Sequence, residues 1–189
     1  DDLISLTMLL AMKNVELIGI AITPADCFFD PSAECQLKLL SLFGKTDVQI
    51  AKAKFPGENQ FPSAWRADCN VMANLPHTVC QAFDKSLLTK ESGPDFMIRK
   101  IKESKEKVTV VMTGPCCNVA AALEKDPSIK DNIEELLIMG GAIDCKGNVE
   151  RFDHDGSAEW NFYYDPEAAR KVIHSGLRIV LFTLDAINN

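Results

Sequence analysis

The chain has 189 residues, an apolar fraction of 47% and a formal net charge of −7, enough apolar material for one buried core and the ordinary charge content of a globular protein. A single domain over 1–189 is therefore expected, and the acidic balance argues against a nucleic-acid partner, because phosphate binders concentrate Lys and Arg. No apolar run approaches the ~20 residues of a membrane span, and no basic-then-apolar leader opens the chain.

Residues 3–12 set Leu3, Leu6 and Leu10 on one stripe and Ile4, Met8 and Ala11 on the next, which predicts a helix ending near Asn14. Residues 16–23 (ELIGIAIT) are short, apolar and β-branched, the pattern of a buried strand. Pro31-Ser32 is expected to open a helix that runs to Phe43 and stops at Gly44, and 48–51 (VQIA) predict a second strand. Residues 52–92 contain Pro56, Gly57, Pro62 and Pro76 with little periodicity, and read as a long loop of the kind that carries function once it exceeds ~15 residues. Regular alternation then returns. Helices are predicted at 94–103, 118–125 and 166–174, and strands at 108–113, 135–139 and 178–183. This order implies an α/β fold, an open, doubly wound, mainly parallel sheet with helices on both faces.

In such a sheet ligands bind beyond the carboxyl ends of the strands. Those ends carry Asp26-Cys27, Thr113-Gly114-Pro115, Met139-Gly140-Gly141 followed by Asn148, and Leu184-Asp185. Strand-to-helix turns are polar for structural reasons as well. Residues 155–161 gather Asp155, Glu159, Trp160 and Asn161, acid and amide groups beside an aromatic that suit a polyhydroxylated ligand. Trp65 is either an anchor for the long loop or a stacking platform for a flat ring. Asp1-Asp2 at the head of an apolar helix read first as a cap and dipole partner, and second as part of a hard-cation site. His77, His154 and His174 are scattered. The seven cysteines are odd in number and have no CxxC spacing, as expected of reduced, buried thiols in a cytoplasmic protein.

Taken together, these segments resemble the inosine–uridine-type nucleoside hydrolases, and most closely their purine-specific, inosine–adenosine–guanosine-preferring branch. The similarity runs in order through Asp1-Asp2, 25–28 (ADCF), 61–66 (FPSAWR), 111–115 (VMTGP), 138–142 (IMGGA), 147–149 (GNV), 158–161 (AEWN) with Asp165-Pro166, and Leu184-Asp185. The resemblance implies hydrolysis of the N-glycosidic bond of purine ribonucleosides by a Ca²⁺-activated water. It implies Asp2 and the Thr113 carbonyl as Ca²⁺ ligands, Asp1, Met139, Asn148, Glu159 and Asn161 around the ribose, and Trp160 as a substrate-binding residue that, with Trp65, favours the purine branch. It makes Trp65 and Asp26 the contacts of the leaving base. It also implies a cytoplasmic homo-oligomer with a small-molecule substrate, no nucleic acid and no membrane.

The family's general base is the first Asp of a motif whose last two residues correspond to Asp1 and Asp2. The abrupt start at Asp1 and the stop at Asn189 are those expected of a fragment truncated at both ends and inactive by itself. The alternative is a truncated, inactive homologue that keeps partial nucleoside or ribose binding. A Rossmann-type NAD enzyme is disfavoured, because no GxGxxG follows the first strand.

Overall fold

The structure is a computed structural model that describes residues 2–75 and 82–187. It divides into two compact units, Asp1–Lys54 with Pro62–Phe96, and Phe55–Phe61 with Met97–Asn189.

The first unit contains α1 (Asp2–Ala11), β1 (Ile20–Ile22), α2 (Phe29–Leu42), β2 (Ile50–Lys52), α3 (Ser63–Ala73), a 3-10 turn (Lys85–Leu87) and β3 (Leu88–Ser92). The strands form one parallel sheet in the order β1-β2-β3, with Ile20 opposite Ile50 and Ala21 opposite Ala51. Its core joins Leu10 of α1, Leu37, Leu39 and Leu40 of α2, and Ile22, Val48, Ile50 and Leu87. The expected leucine stripe of α1 does face this core, where Leu3 and Leu6 pack against it. Helix α2 starts two residues before Pro31; a proline is tolerated in the first turn, where its missing N–H would have had no intrahelical partner. Gly44 follows α2 with φ 66°, the left-handed stop that a glycine supplies without a Cβ clash.

The second unit contains β4 (Val108–Met112), α5 (Cys117–Lys125), a 3-10 segment (Pro127–Asn132), β5 (Ile133–Met139), α6 (Trp160–Tyr164), α7 (Pro166–Ile173), β6 (Ile179–Phe182) and α8 (Leu184–Ile187). The sheet is again parallel, in the order β4-β5-β6. Leu136 and Ile138 of the central strand are fully buried, as expected of a strand covered on both faces. Helix α4 (Gly93–Glu103) begins in the first unit and continues into the second. Parallel sheets with helices on both sides bear out the α/β reading.

Two expectations need correction. Residues 52–92 are not one long loop: they include α3, the 3-10 turn and β3. Helix α3 buries only Cys69 and Ala73, so its pattern is too weak to read as amphipathic, and β3 (LTKES) is polar. Pro62, which looked like loop punctuation, is the residue that caps α3. The strand expected over 16–23 is also shorter, three residues rather than eight.

Residues 55–61 form a strap on α6 within the second unit. The Tyr164 hydroxyl donates to the Phe55 carbonyl at 2.7 Å, and the Glu58 and Asn59 amides donate to the Tyr164 carbonyl. Phe61 stacks on Trp160, with ring centroids 5.0 Å apart. Gly57 is required here, because a Cβ on it would lie 2.3 Å from the Tyr164 ring. Among the described residues no helix is long and apolar enough to cross a membrane.

Candidate active site

In the second unit, β4 and β5 end side by side, and Asn161 bridges their carboxyl ends. Its Nδ2 donates to the Thr113 carbonyl at 3.2 Å and to the Met139 carbonyl at 3.2 Å. The Met139 sulfur lies 3.1 Å from the same nitrogen. Only the NH₂ end of an amide can face two carbonyls, so the orientation is fixed and Oδ1 is presented as an acceptor.

Asn161 owes its place to Glu159. Glu159 caps α6 and is only 3% exposed. Its Oε1 accepts from the Asn161 N–H at 3.0 Å. Its Oε2 accepts from Gly141 N–H at 3.0 Å and Phe162 N–H at 3.2 Å. A buried carboxylate with three backbone donors is strongly held. The Gly140-Gly141 pair makes room for it: a Cβ on Gly140 would meet the Phe162 ring at 2.7 Å and Glu159 Oε2 at 3.3 Å, and Gly141 has φ 84°.

Asn148 reaches the same place by a turn that leaves the sheet and returns. The Asn148 and Val149 amides donate to the Ala158 carbonyl, at 3.0 and 3.2 Å. Asn148 Oδ1 accepts from Trp160 N–H at 3.0 Å, which leaves the Asn148 Nδ2 as a donor. The return passes so close that a Cβ on Gly147 would lie 2.1 Å from the Ala158 carbonyl oxygen. The structure thus brings Thr113, Met139, Asn148, Glu159 and Asn161 together. Trp160 belongs to the same cluster but is 4% exposed, sandwiched between Phe61 and the edge of Tyr163.

Asp185 anchors the outgoing half of that turn, a role that its sequence motif does not specify. Its carboxylate accepts from Ile143 N–H at 3.0 Å and Asp144 N–H at 2.8 Å. These bonds hold its carboxyl below the usual carboxylate range. The available signal is an Asp three residues after the end of β6. His154 lies in the turn, its Nδ1 accepting from Gly156 N–H at 2.9 Å and its ring meeting Tyr163 edge-on.

The first unit carries the other candidates. Asp2 opens α1; Asp1 lies outside the described residues. Asp26 follows β1, and the protein packed around it raises its carboxyl pKa by desolvation even though its side chain retains open surface. Both Asp2 and Asp26 act electrostatically on the Cys27 thiol, so the head of α1 and the Asp26 turn share one neighbourhood. Trp65 stands in the first turn of α3 and is 46% exposed.

The six described cysteines are free thiols. Burial pushes Cys27 up to about 11 and Cys116 up to about 12. Both stay protonated at neutral pH, which argues against a thiolate nucleophile.

Asp2 and the Thr113 carbonyl are hard oxygen donors, the kind Ca²⁺ selects. Among the described residues no three His, Cys, Asp or Glu side chains converge as a metal cluster. Taken singly, each donor is of a type that fits a calcium ion.

A family model described as inosine-uridine preferring nucleoside hydrolase matches residues 1–189. Among curated relatives, the pyrimidine-specific ribonucleoside hydrolase RihA of Salmonella newport is 32% identical over 186 residues, 98% of this chain and 57% of that protein. Among solved structures, the inosine-uridine preferring nucleoside hydrolase from Bacillus anthracis superposes with a TM-score of 0.91 at 35% identity, over 99% of this chain and 62% of that one. The purine-preferring ribonucleoside hydrolase from Gardnerella vaginalis gives a TM-score of 0.74 at 29% identity, over 98% and 57% of the two chains. The present chain therefore spans little more than half the length of the curated relatives it matches.

Proposed function

The chain belongs to the inosine-uridine preferring nucleoside hydrolase family, and from that membership we infer that the whole protein cleaves the N-glycosidic bond of ribonucleosides, releasing free base and ribose. The observation that carries this reading is the fixed amide pair at the ends of β4 and β5. Asn161 offers an oxygen and Asn148 an NH₂, because each has committed its other end to the backbone. Ribose hydroxyls both donate and accept, so this pair matches a furanose diol. Glu159 adds a carboxylate with a lone pair to spare, Met139 lines the sugar, and Trp160 shapes that side through its stack on Phe61. Asp1 is assigned to the ribose by the family resemblance.

By the family resemblance, Asp2 and the Thr113 carbonyl are each assigned as Ca²⁺ ligands, oxygen donors of the type that ion selects. Bound there, the ion would lower the pKa of a water and clamp the diol. By the same resemblance, a carboxylate takes the proton from that water.

For the leaving base, Trp65 is the stacking surface and Asp26 the polar neighbour. A half-exposed indole in the first turn of α3 suits a flat bicyclic ring, and a carboxyl of raised pKa suits proton exchange with a departing nitrogen heterocycle. This supports a purine preference, and the relative from Gardnerella vaginalis is a purine-preferring enzyme. A pyrimidine preference is the second reading, favoured by the RihA relatives, which are pyrimidine-specific. The deciding experiment compares kcat/KM of the full-length protein on inosine with that on cytidine and uridine. Faster inosine cleavage supports the purine reading, and faster cytidine or uridine cleavage overturns it.

A further inference from the structure

Helix α3 carries Trp65 and packs on α2 with few buried side chains. Only Cys69 and Ala73 are buried, both small, and Pro62 provides no side-chain cap at its start. Two small side chains bury too little apolar area to fix a helix to within the fraction of an ångström that a stacking site needs. Directional contacts add what that packing lacks: two of them meet at Phe28, two residues after Asp26, and a third, inside α3, links the two residues that make them. The Phe28 N–H donates to Cys69 Sγ at 3.2 Å. The Cys69 thiol in turn donates to the Arg66 carbonyl at 3.0 Å. The Arg66 guanidinium lies over the Phe28 ring, 5.0 Å from its centroid, a cation–π contact. At the far end, buried Lys38 of α2 donates to the Ala73 carbonyl at 3.0 Å and fixes the last turn.

We propose that Cys69, Arg66 and Phe28 form a clamp that sets α3, and with it Trp65, against the Asp26 turn, so that contact with the leaving base depends on a thiol and a guanidinium that need not touch the substrate. Trp65 and Cys69 are four residues apart, on the same helix face; a tilt of α3 about the Lys38 end displaces Trp65 most. Cys69 suits the position because one sulfur both accepts and donates while filling a buried site. These are positioning residues, and their role rests on the base-stacking reading above.

The test uses the full-length enzyme and two substrates. Inosine needs help with its leaving base. A p-nitrophenyl riboside has the same sugar, but its phenolate departs without stacking or protonation. For Cys69→Ala, kcat/KM on inosine is expected to fall roughly tenfold, while that on the nitrophenyl riboside is unchanged. Cys69→Ser, which keeps a donor and an acceptor, restores most of the loss. Phe28→Leu, a change at a half-exposed ring that leaves the backbone donor in place, gives a smaller loss with the same inosine-only pattern and covers the case in which Cys69→Ala misfolds. Equal losses on both substrates, or no loss on inosine, overturn the clamp. Trp65→Ala separates the two claims. If it spares inosine, the base-stacking reading falls and the clamp loses its purpose; if it costs inosine alone while Cys69→Ala and Phe28→Leu do not, only the clamp falls.

Discussion

The Asn161 side-chain amide donates to the Thr113 carbonyl at 3.2 Å, tying α6 to the carboxyl end of β4 while its second bond ties it to β5. Asn161→Asp would turn a donor into an acceptor facing two carbonyl oxygens. The expected cost is about 2–3 kcal/mol of stability, read as a lower denaturation midpoint of the full-length protein, with a larger proportional loss in kcat/KM than in stability-matched surface variants. An unchanged midpoint would mean that the bridge does not hold the strand ends.

The turn between Asn148 and Ala158 makes a steric prediction. Gly147→Ala places a methyl 2.1 Å from a backbone oxygen, which cannot rotate away as a side chain could. A loss of about 1–3 kcal/mol is expected, together with weaker ribose binding, because Asn148 is the next residue. Gly114→Ala, where a Cβ meets open space, is the matched control and should be close to neutral.

Asp185 gives a pH dependence with a defined sign. Its carboxyl is held below the ordinary value of 3.8 by the Ile143 and Asp144 amides, so the folded state favours the ionised form. That stabilisation is present above the ordinary value and is lost as pH falls through the depressed one. Asp185→Ala should therefore lower Tm most at neutral pH, and the gap to the unsubstituted protein should close on acidification. A gap that widened at low pH would contradict the assignment.

How much of this was legible in the residues depends on the contrast each element offered. The leucines of α1 and α2, the β-branched runs of β4 and β6, and Pro166 with Gly176 around α7 all carry strong signals, and those elements form where expected. Helix α3 is not legible in the sequence, because burial of Cys69 and Ala73 leaves no apolar stripe, and Trp65 therefore reads as a loop residue. At the site, the rule that ligands gather beyond parallel strand ends singled out Thr113, Met139 and Asn148. The capping of α6 by Glu159, and the commitment of one end of each amide to the backbone, depend on the path of residues 140–158, which no local pattern encodes.

Trp65 is predicted to act on turnover rather than on sugar affinity. Stacking of a base on an aromatic is worth about 1–3 kcal/mol, so Trp65→Ala should lower kcat on inosine by roughly 10- to 100-fold while leaving competitive inhibition by ribose unchanged. Unchanged kcat would remove Trp65 from the base site.

The most direct test of the account is to incubate the full-length protein with inosine in the presence of Ca²⁺ and follow ribose release, then repeat with a chelator. The account predicts equal amounts of free ribose and hypoxanthine, loss of both on chelation, and recovery when Ca²⁺ is returned. Absence of ribose from inosine, cytidine and uridine alike, with Ca²⁺ present and the protein folded, would contradict it.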